Sequence, residues 1–339
     1  MKKVRLIQFL LLLFVSVFAV NSAIAQGSSK VIAQPAIQPF TQYEGFTPVA
    51  MLDTLEKLTE DRFNFIIATD MNRYGHFGQR EMGYVMGDVA DAVDAEFVAV
   101  TGDIFHYLGV QSVNDHIFIS CFEEMYSHPE LQIPWHIILG NHEYKGNTQA
   151  IIDYSQVSRR WEVPARYYSK SYTHEGITID LFFIDTPPII DKYRDNPGEY
   201  PDACKQDRDA QLKWLDNALA SSKAKYKIVL GHHPVYAETN KEVCEREDMQ
   251  RYVDPLLRKY KVDYYFSGHI HNFQAIRKQD SSVGYFTVSS IASTRKVKPI
   301  DGTQFCSKDQ GFAVVSVGKD DIAVYFLNNQ AEIIFKEKR

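Results

Sequence analysis

Tyr264–Tyr265–Phe266–Ser267–Gly268–His269–Ile270–His271 is a short aromatic run that stops at a glycine and is followed by two imidazoles one residue apart. A chain that has just left a strand can turn both rings toward one metal ion, or one ring toward each of two. Alone the pattern is weak, because an isolated histidine is usually a satisfied structural residue. Four other apolar runs stop in the same way: Ile67–Ala68–Thr69–Asp70, Val100–Thr101–Gly102–Asp103, Leu139–Gly140–Asn141–His142 and Val229–Leu230–Gly231–His232. Runs that each end in Asp, Asn or His outline the rim of a metal site.

The segments between these stops read as a layered α/β domain. Residues 63–69, 97–101, 135–139, 177–184, 227–230 and 262–266 have the length and apolar character of strands. Apolar side chains fall on one stripe over 79–94 (Met82, Val85, Met86, Val89, Val93) and over 207–221 (Leu212, Leu215, Leu219). Further helices are expected over 48–61, 113–127, 148–161 and 246–260. After His271 the pattern turns to strands, at 284–290, 311–317, 322–327 and 331–335. Strands alternating with helices, then a strand-rich end, indicate a sheet layered with helices. In such sheets ligands gather at the carboxyl ends of the strands, which is where all five polar stops fall. Residues 187–205 carry Pro187, Pro188, Pro197 and Pro201 and read as a polar surface loop, a candidate lid.

The chain has 339 residues, 45% of them hydrophobic, enough to fill the core of one large domain. Residues 1–25 read as a signal peptide: Lys2, Lys3 and Arg5, then an apolar stretch from Leu6 to Val20, then Ala23–Ile24–Ala25. The alternative is an uncleaved anchor, for which the apolar stretch is short. The domain plan is 1–25 signal peptide, 26–61 linker and short N-terminal helix, and 62–339 catalytic domain. An exported protein, periplasmic or secreted, is expected, with no membrane attachment after cleavage and a monomeric state. The formal net charge of −6 argues against a nucleic-acid partner, which asks for a basic surface. Export permits disulfides, and of Cys121, Cys204, Cys244 and Cys306 the polar surroundings of Cys204 and Cys244 make them the preferred pair. Cys121, in an expected helix, reads as buried. None has the CxxC spacing of a structural zinc site.

The candidate ligands are Asp70, Asp103, Asn141, His232, His269 and His271, with His106 three residues after Asp103. Mixed carboxylate and imidazole donors suit first-row divalent ions: iron, manganese or zinc. A carboxylate can bridge two such ions, which together clamp an in-line displacement at phosphorus. Asp103 is the candidate bridge, although spacing alone does not separate it from Asp70. Asp70 and Asp103 could instead be helix caps after strands, and Asn141 a turn residue. His136 and His116 read as structural. His76 and His233, close to the motifs, are candidates for substrate contact.

Gly102–Asp103, Gly140–Asn141–His142–Glu143, Gly231–His232 and Gly268–His269–Ile270–His271 resemble the motif series of the calcineurin-like metallophosphoesterases. Within them the chain is similar to the purple acid phosphatases, especially the small tartrate-resistant type. The similarity extends from about Phe65 to the C-terminus and takes in non-motif stretches, among them Gly109–Val110–Gln111, Arg159–Arg160–Trp161 and Val283–Gly284–Tyr285. The resemblance implies a metallophosphoesterase-like β-sandwich flanked by helices. It also implies two metal ions, one held by Asp70, Asp103, His271 and the side chain at 106, the other by Asp103, Asn141, His232 and His269. His142 would stand near the substrate as a proton donor to the leaving oxygen or a hydrogen-bond donor to the phosphoryl group.

Two departures from the family pattern matter. The family usually places Tyr three residues after the bridging Asp, where a phenolate favours ferric iron and gives the purple colour; here that position is His106. A neutral imidazole favours divalent ions, so a colourless enzyme is expected. Tyr107 as the ligand, with His106 a bystander, is the alternative. The second departure is Asp70–Met71–Asn72, where the family usually has Asp-x-Gly. The expected function is an acid phosphatase-like, exported hydrolase of small-molecule phosphate monoesters, working by in-line attack of a metal-bound hydroxide with Asp103 and His142 at the reacting centre. The alternatives are a phosphodiesterase or nucleotide hydrolase on the same site, and a metal-containing binding protein without turnover.

Overall fold

The computed structural model describes residues 48–339. The expected signal peptide and most of the linker lie outside the described residues. Two seven-stranded sheets face each other. The first is built from β1 (Phe63–Ala68), β2 (Ala95–Val100), β3 (Trp135–Ile137) and β4 (Trp161–Glu162), which run parallel in that order. The second carries β5 (Tyr168–His174), β6 (Ile177–Phe183), β7 (Tyr226–Leu230), β8 (Tyr264–Ser267), β9 (Phe273–Arg277), β10 (Gly284–Thr287) and β11 (Thr303–Ser307). Its strand order is β11-β9-β10-β8-β7-β6-β5. The C-terminal strands β12 (Gly311–Val317), β13 (Ile322–Asn328) and β14 (Ile333–Lys338) return to the first sheet, with β12 antiparallel to β1.

Strand periodicity separates two cores. On β1, Phe63, Phe65 and Ile67 point between the sheets, where they meet Phe97, Leu181, Phe183, Phe266, Phe286 and Phe326. Ile66 and Ala68 point the other way, into the helical layer with Val98, Val100, Met86 and Val89. Both faces of β1 are buried, which is why it reads as a continuous apolar run rather than an alternating one.

The helical layer comprises α1 (Val49–Thr59), α2 (Gln79–Val93), α3 (Thr148–Asp153), α4 (Asp191–Arg194), α5 (Arg208–Ser221), α6 (Val243–Tyr252) and α7 (Asp254–Lys259). Asp207 caps α5 by accepting from the Ala210 amide at 2.9 Å.

Several expectations need correction. Over 113–127 the Asp115 carboxylate accepts from the Gln111 and Ile117 amides. This local turn competes with helix, leaving a short π-helical piece at Ile119–Glu123. The helix expected over 148–161 ends at Asp153, and Trp161 instead pairs with Trp135. The helix expected over 246–260 is broken between Tyr252 and Asp254, where Pro255 has no amide to continue it. β5, β9 and β11 were not expected. Residues 187–205 are no loose lid: Ile189, Ile190, Tyr193, Tyr200 and Ala203 are buried in the core. All four cysteines are free, with Cys121 buried as expected and Cys204 exposed, so the preferred Cys204–Cys244 pairing is not formed. Cys204 sits on a tight turn, Ala203–Lys205, and Cys244 near the start of α6, beside Glu242.

Candidate metal centre

Each ligand-bearing residue sits just past a strand end, where the chain turns sharply. Asp70, Asp103, His269 and His271 all have φ between 49° and 71°, a region that Asp and His tolerate better than branched residues. Glycines let the turns close. A Cβ on Gly140 would collide with Asp103 Oδ1, and one on Gly268 would collide with Thr69 Oγ1.

The first sheet supplies Asp70, Asp103 and Asn141 from the loops after β1, β2 and β3; the second supplies His232, His269 and His271 after β7 and β8. All six are buried. His271 Nε2 lies 3.1 Å from Asp70 Oδ1, and His106 Nε2 lies 3.9 Å from the same oxygen. Asp103 Oδ2 faces three imidazoles: His232 Nε2 at 3.2 Å, His106 Nε2 at 3.6 Å and His142 Nε2 at 3.9 Å. Asn141 Oδ1 is 3.2 Å from His232 Nε2, which is in turn 3.2 Å from His269 Nδ1.

The supporting hydrogen bonds fix the tautomers. His232 Nδ1 donates to the Thr101 carbonyl and His271 Nδ1 to the Ser293 carbonyl, each at 2.8 Å, leaving Nε2 free. His269 is reversed: its Nε2 donates to Glu245 Oε2 at 3.0 Å, leaving Nδ1 free. Two facing ring nitrogens, each with its other nitrogen committed as a donor, leave lone pairs that ask for a shared cation. Asp70 Oδ1 and both ring nitrogens of His106 have no hydrogen-bond partner among the described residues. Buried polar atoms in that condition are costly unless something fills the space between them. Donor types, burial and orphaned atoms therefore fit a metal pair.

Electrostatics agree. Burial alone would raise the Asp70 carboxyl, but His271 beside it holds it well below the usual carboxylate range. Burial would likewise raise Asp103, and His232 pulls it down. Burial pushes His232 down, yet Asp103 lifts it to about 9. His106 is pressed well below its ordinary value by burial, with Asp103 opposing.

Two buried glutamates complete the site. Glu143 accepts from the Asp103 and Phe105 amides at 2.9 Å and from Gly140 at 2.7 Å, tying the Asp103 and Asn141 turns together. Burial, then Asp103, raises it to about 7. Glu245 on α6 receives His269 Nε2, the Tyr193 hydroxyl and the Lys192 ammonium. Glu143 stood inside the quoted Gly-Asn-His-Glu stretch without a role; Glu245 lies on a highly polar helix that gives no sign of an inward face.

Of the remaining candidates, His142 is partly exposed at the mouth, its Nδ1 donating to the Tyr107 carbonyl at 2.8 Å and its Nε2 directed toward Asp103. Tyr107 is 54% exposed and His106 only 1%, so it is the histidine that enters the centre. His233 is buried beside it but bonded to Thr186 and Tyr193. His76 and His116 are exposed. His136 is buried on β3 against Tyr172 and Glu162, a structural place.

A family model described as calcineurin-like phosphoesterase matches residues 63–273. Purple acid phosphatase 3 of Arabidopsis thaliana is 30% identical over 295 residues, covering 83% of this chain and 78% of that protein. Tartrate-resistant acid phosphatase type 5 of Rattus norvegicus is 32% identical over 259 residues, covering 71% of this chain and 78% of that one. Among solved structures, GAP50, the anchor in the inner membrane complex of Plasmodium, aligns with a TM-score of 0.71 at 22% identity, over 82% of this chain and 88% of that one. Purple acid phosphatase PPD1 from yellow lupin seeds aligns at 0.56 and 17%, over 82% of this chain and 53% of that one. At such identities the structures share the fold.

Proposed function

The chain belongs to the calcineurin-like phosphoesterase family and is a purple acid phosphatase-like, metal-dependent phosphoric ester hydrolase; on that premise we propose that it hydrolyses small-molecule phosphate monoesters at a pair of divalent ions. One group of donors is Asp70, Asp103, His106 and His271; the other is Asp103, Asn141, His232 and His269. The observation that carries this reading is Asp103 Oδ2, a single oxygen facing imidazoles of both groups.

When bound, the two ions would supply a nucleophile deprotonated near neutral pH and offset charge on the phosphoryl group. The chain's own residues do the rest. Glu143 holds the Asp103 and Asn141 turns in register, and Glu245 holds the His269 ring so that Nδ1 faces inward. His142, with Nδ1 committed to the Tyr107 carbonyl, presents Nε2 at the open side, where it donates a proton to the departing oxygen or a hydrogen bond to the phosphoryl group. Tyr193 and the 187–205 segment wall the centre on the His233 side.

His106 in place of a phenolate supports iron(II), manganese(II) or zinc(II) in its group and an uncoloured protein. The N-terminal sequence pattern supports export, with release as a periplasmic or secreted monomer; N-terminal sequencing of the mature protein checks cleavage after residue 25. The decisive experiment measures metal content and aryl-phosphate hydrolysis together, across pH, with iron, manganese or zinc supplied. About two ions per chain, no visible band and clear turnover is the expected result. Metals without turnover on mono- or diesters would leave a binding protein instead.

A further inference from the structure

A cleft of about 360 Å³ opens at the pole of the fold away from the metal centre, where β1 and β2 begin. The length of β1 alone puts roughly 20 Å between it and Asp70. Six carboxylates surround it: Glu56, Glu60 and Asp61 where α1 ends, Asp91 and Asp94 where α2 ends, and Glu96 near the start of β2. All are exposed, and none makes an ion pair within 4 Å or a side-chain hydrogen bond among the described residues. The C-terminal ends of two helices add the partial negative charge of their carbonyls to the same space. Besides His174, Arg62 is the one basic side chain among the lining residues, and its guanidinium is committed to Ser316 and Asp321.

Charge alone would mark only a solvated surface. The wall of the cleft adds a polar atom with nothing to bind. Asn64 on β1 is 1% exposed. Its Nδ2 donates to three carbonyls, Thr59 at 3.0 Å, Arg62 at 3.1 Å and Val93 at 2.7 Å, which fixes the orientation of the amide. That leaves Oδ1, buried and unpartnered, as the amide's contribution to the cleft. His174 Nε2, at the end of β5, is in the same condition on the same cleft. A buried acceptor costs stability until a donor reaches it.

A metal ion does not suit the place. Calcium takes roughly six to eight oxygens at about 2.3–2.6 Å, so its ligands must converge. Among the described residues, the sets of acidic, imidazole or thiol groups close enough to share an ion all lie at the metal centre. The carboxylates of the cleft stand apart on three elements, around a wall that includes Ala92 and Val93. Spaced acceptors over apolar side chains match a flexible chain of methylenes with ammonium groups along it. We propose that this cleft binds an aliphatic polyamine, one ammonium donating to Asn64 Oδ1 and the others pairing with carboxylates at the ends of α1 and α2. The site is independent of the phosphatase reading. Its occupation relieves repulsion among the acidic groups, so the ligand stabilises the fold.

The test is calorimetry and thermal denaturation of the purified full chain, with spermidine, propylamine and calcium chloride as probes. Spermidine should bind at one site per chain, about tenfold or more tighter than propylamine, and raise the denaturation midpoint. Asp61→Asn with Asp94→Asn removes two charges at backbone positions of φ 58° and 49°, which asparagine tolerates, and should weaken spermidine about tenfold. Glu60→Gln with Glu96→Gln should do likewise. Asp209→Asn with Glu247→Gln, two exposed carboxylates outside the cleft, should leave binding unchanged. Asn64 itself is kept, because its Nδ2 ties the ends of α1 and α2 to β1. Absence of saturable spermidine binding overturns the site, as does binding that survives both cleft pairs. Equal weakening by the control pair overturns it too, since that marks attraction to net charge alone. Calcium bound more tightly than spermidine, and lost with the same cleft substitutions, overturns the polyamine and leaves a metal site.

Discussion

The two sheets contribute unlike halves to one centre. The first gives oxygen donors, Asp70, Asp103 and Asn141, clamped from behind by Glu143. The second gives nitrogen donors, His232, His269 and His271, oriented by the Thr101 carbonyl, Glu245 and the Ser293 carbonyl. The acidic half is held by backbone amides donating to carboxylates; the imidazole half is held by ring N–H groups donating to oxygen. Each arrangement suits its donor type, because a carboxylate is kept charged by donors and an imidazole is kept a ligand by an acceptor. His106 and His142 are the exceptions, imidazoles borne on the acidic half that both face Asp103 Oδ2, His106 from within and His142 from the open side.

Breaking the atom both halves share has the largest effect. Asp103→Asn removes the charge that faces both groups of imidazoles, and on the proposed reading we expect loss of both ions by elemental analysis with turnover reduced by on the order of 1,000-fold or more, about 4 kcal/mol of transition-state stabilisation. His142→Ala touches neither half's donors. Turnover should fall about 100-fold while metal content stays; an emptied site would make His142 a ligand rather than a proton donor.

The supporting glutamates sharpen the contrast. Glu245→Gln keeps the size but removes the charge behind His269. Metal affinity should weaken by roughly 10- to 100-fold, and mainly for one ion of the pair, read by metal titration. Glu143→Gln places an amide NH₂ against backbone N–H donors. Its cost falls on folding, roughly 1–3 kcal/mol, read as a lowered denaturation midpoint of the apoprotein. If both substitutions altered metal affinity alike, the two halves would be equivalent in kind. The smallest expected change in turnover is at the exceptional histidine: His106→Tyr in the iron-loaded protein should add a visible absorption band, whereas Tyr107→Phe should leave the spectrum as it was.

The site was more legible than the fold around it. Strands ending in Asp, Asn or His announce themselves because chemistry requires those residue types at the end of an apolar run. The strands that carry Phe65 and Val98 announced themselves for a different reason, their continuous apolar runs being buried on both faces. Tyr168–His174 did not, since an edge strand with side chains alternately exposed carries little apolar signal. The 187–205 segment misled because its charges are visible in the sequence while the inward placement of Ile189, Ile190 and Tyr193 is not. Glu245 and Asn64 belong to the same class. Their significance lies in a partner far along the chain, or in the want of one, and neither has a local periodicity.

Among the bonds that cross between the unlike halves with no side chain of the imidazole half taking part, the His269 amide donates to Asp70 Oδ2 at 2.7 Å. Its acceptor hangs from the other sheet, so that proton can trade with solvent only when the two sheets part at this end. A single amide resonance thus serves as a gauge of the seam, slow while the layers stay shut and quickening as soon as they breathe.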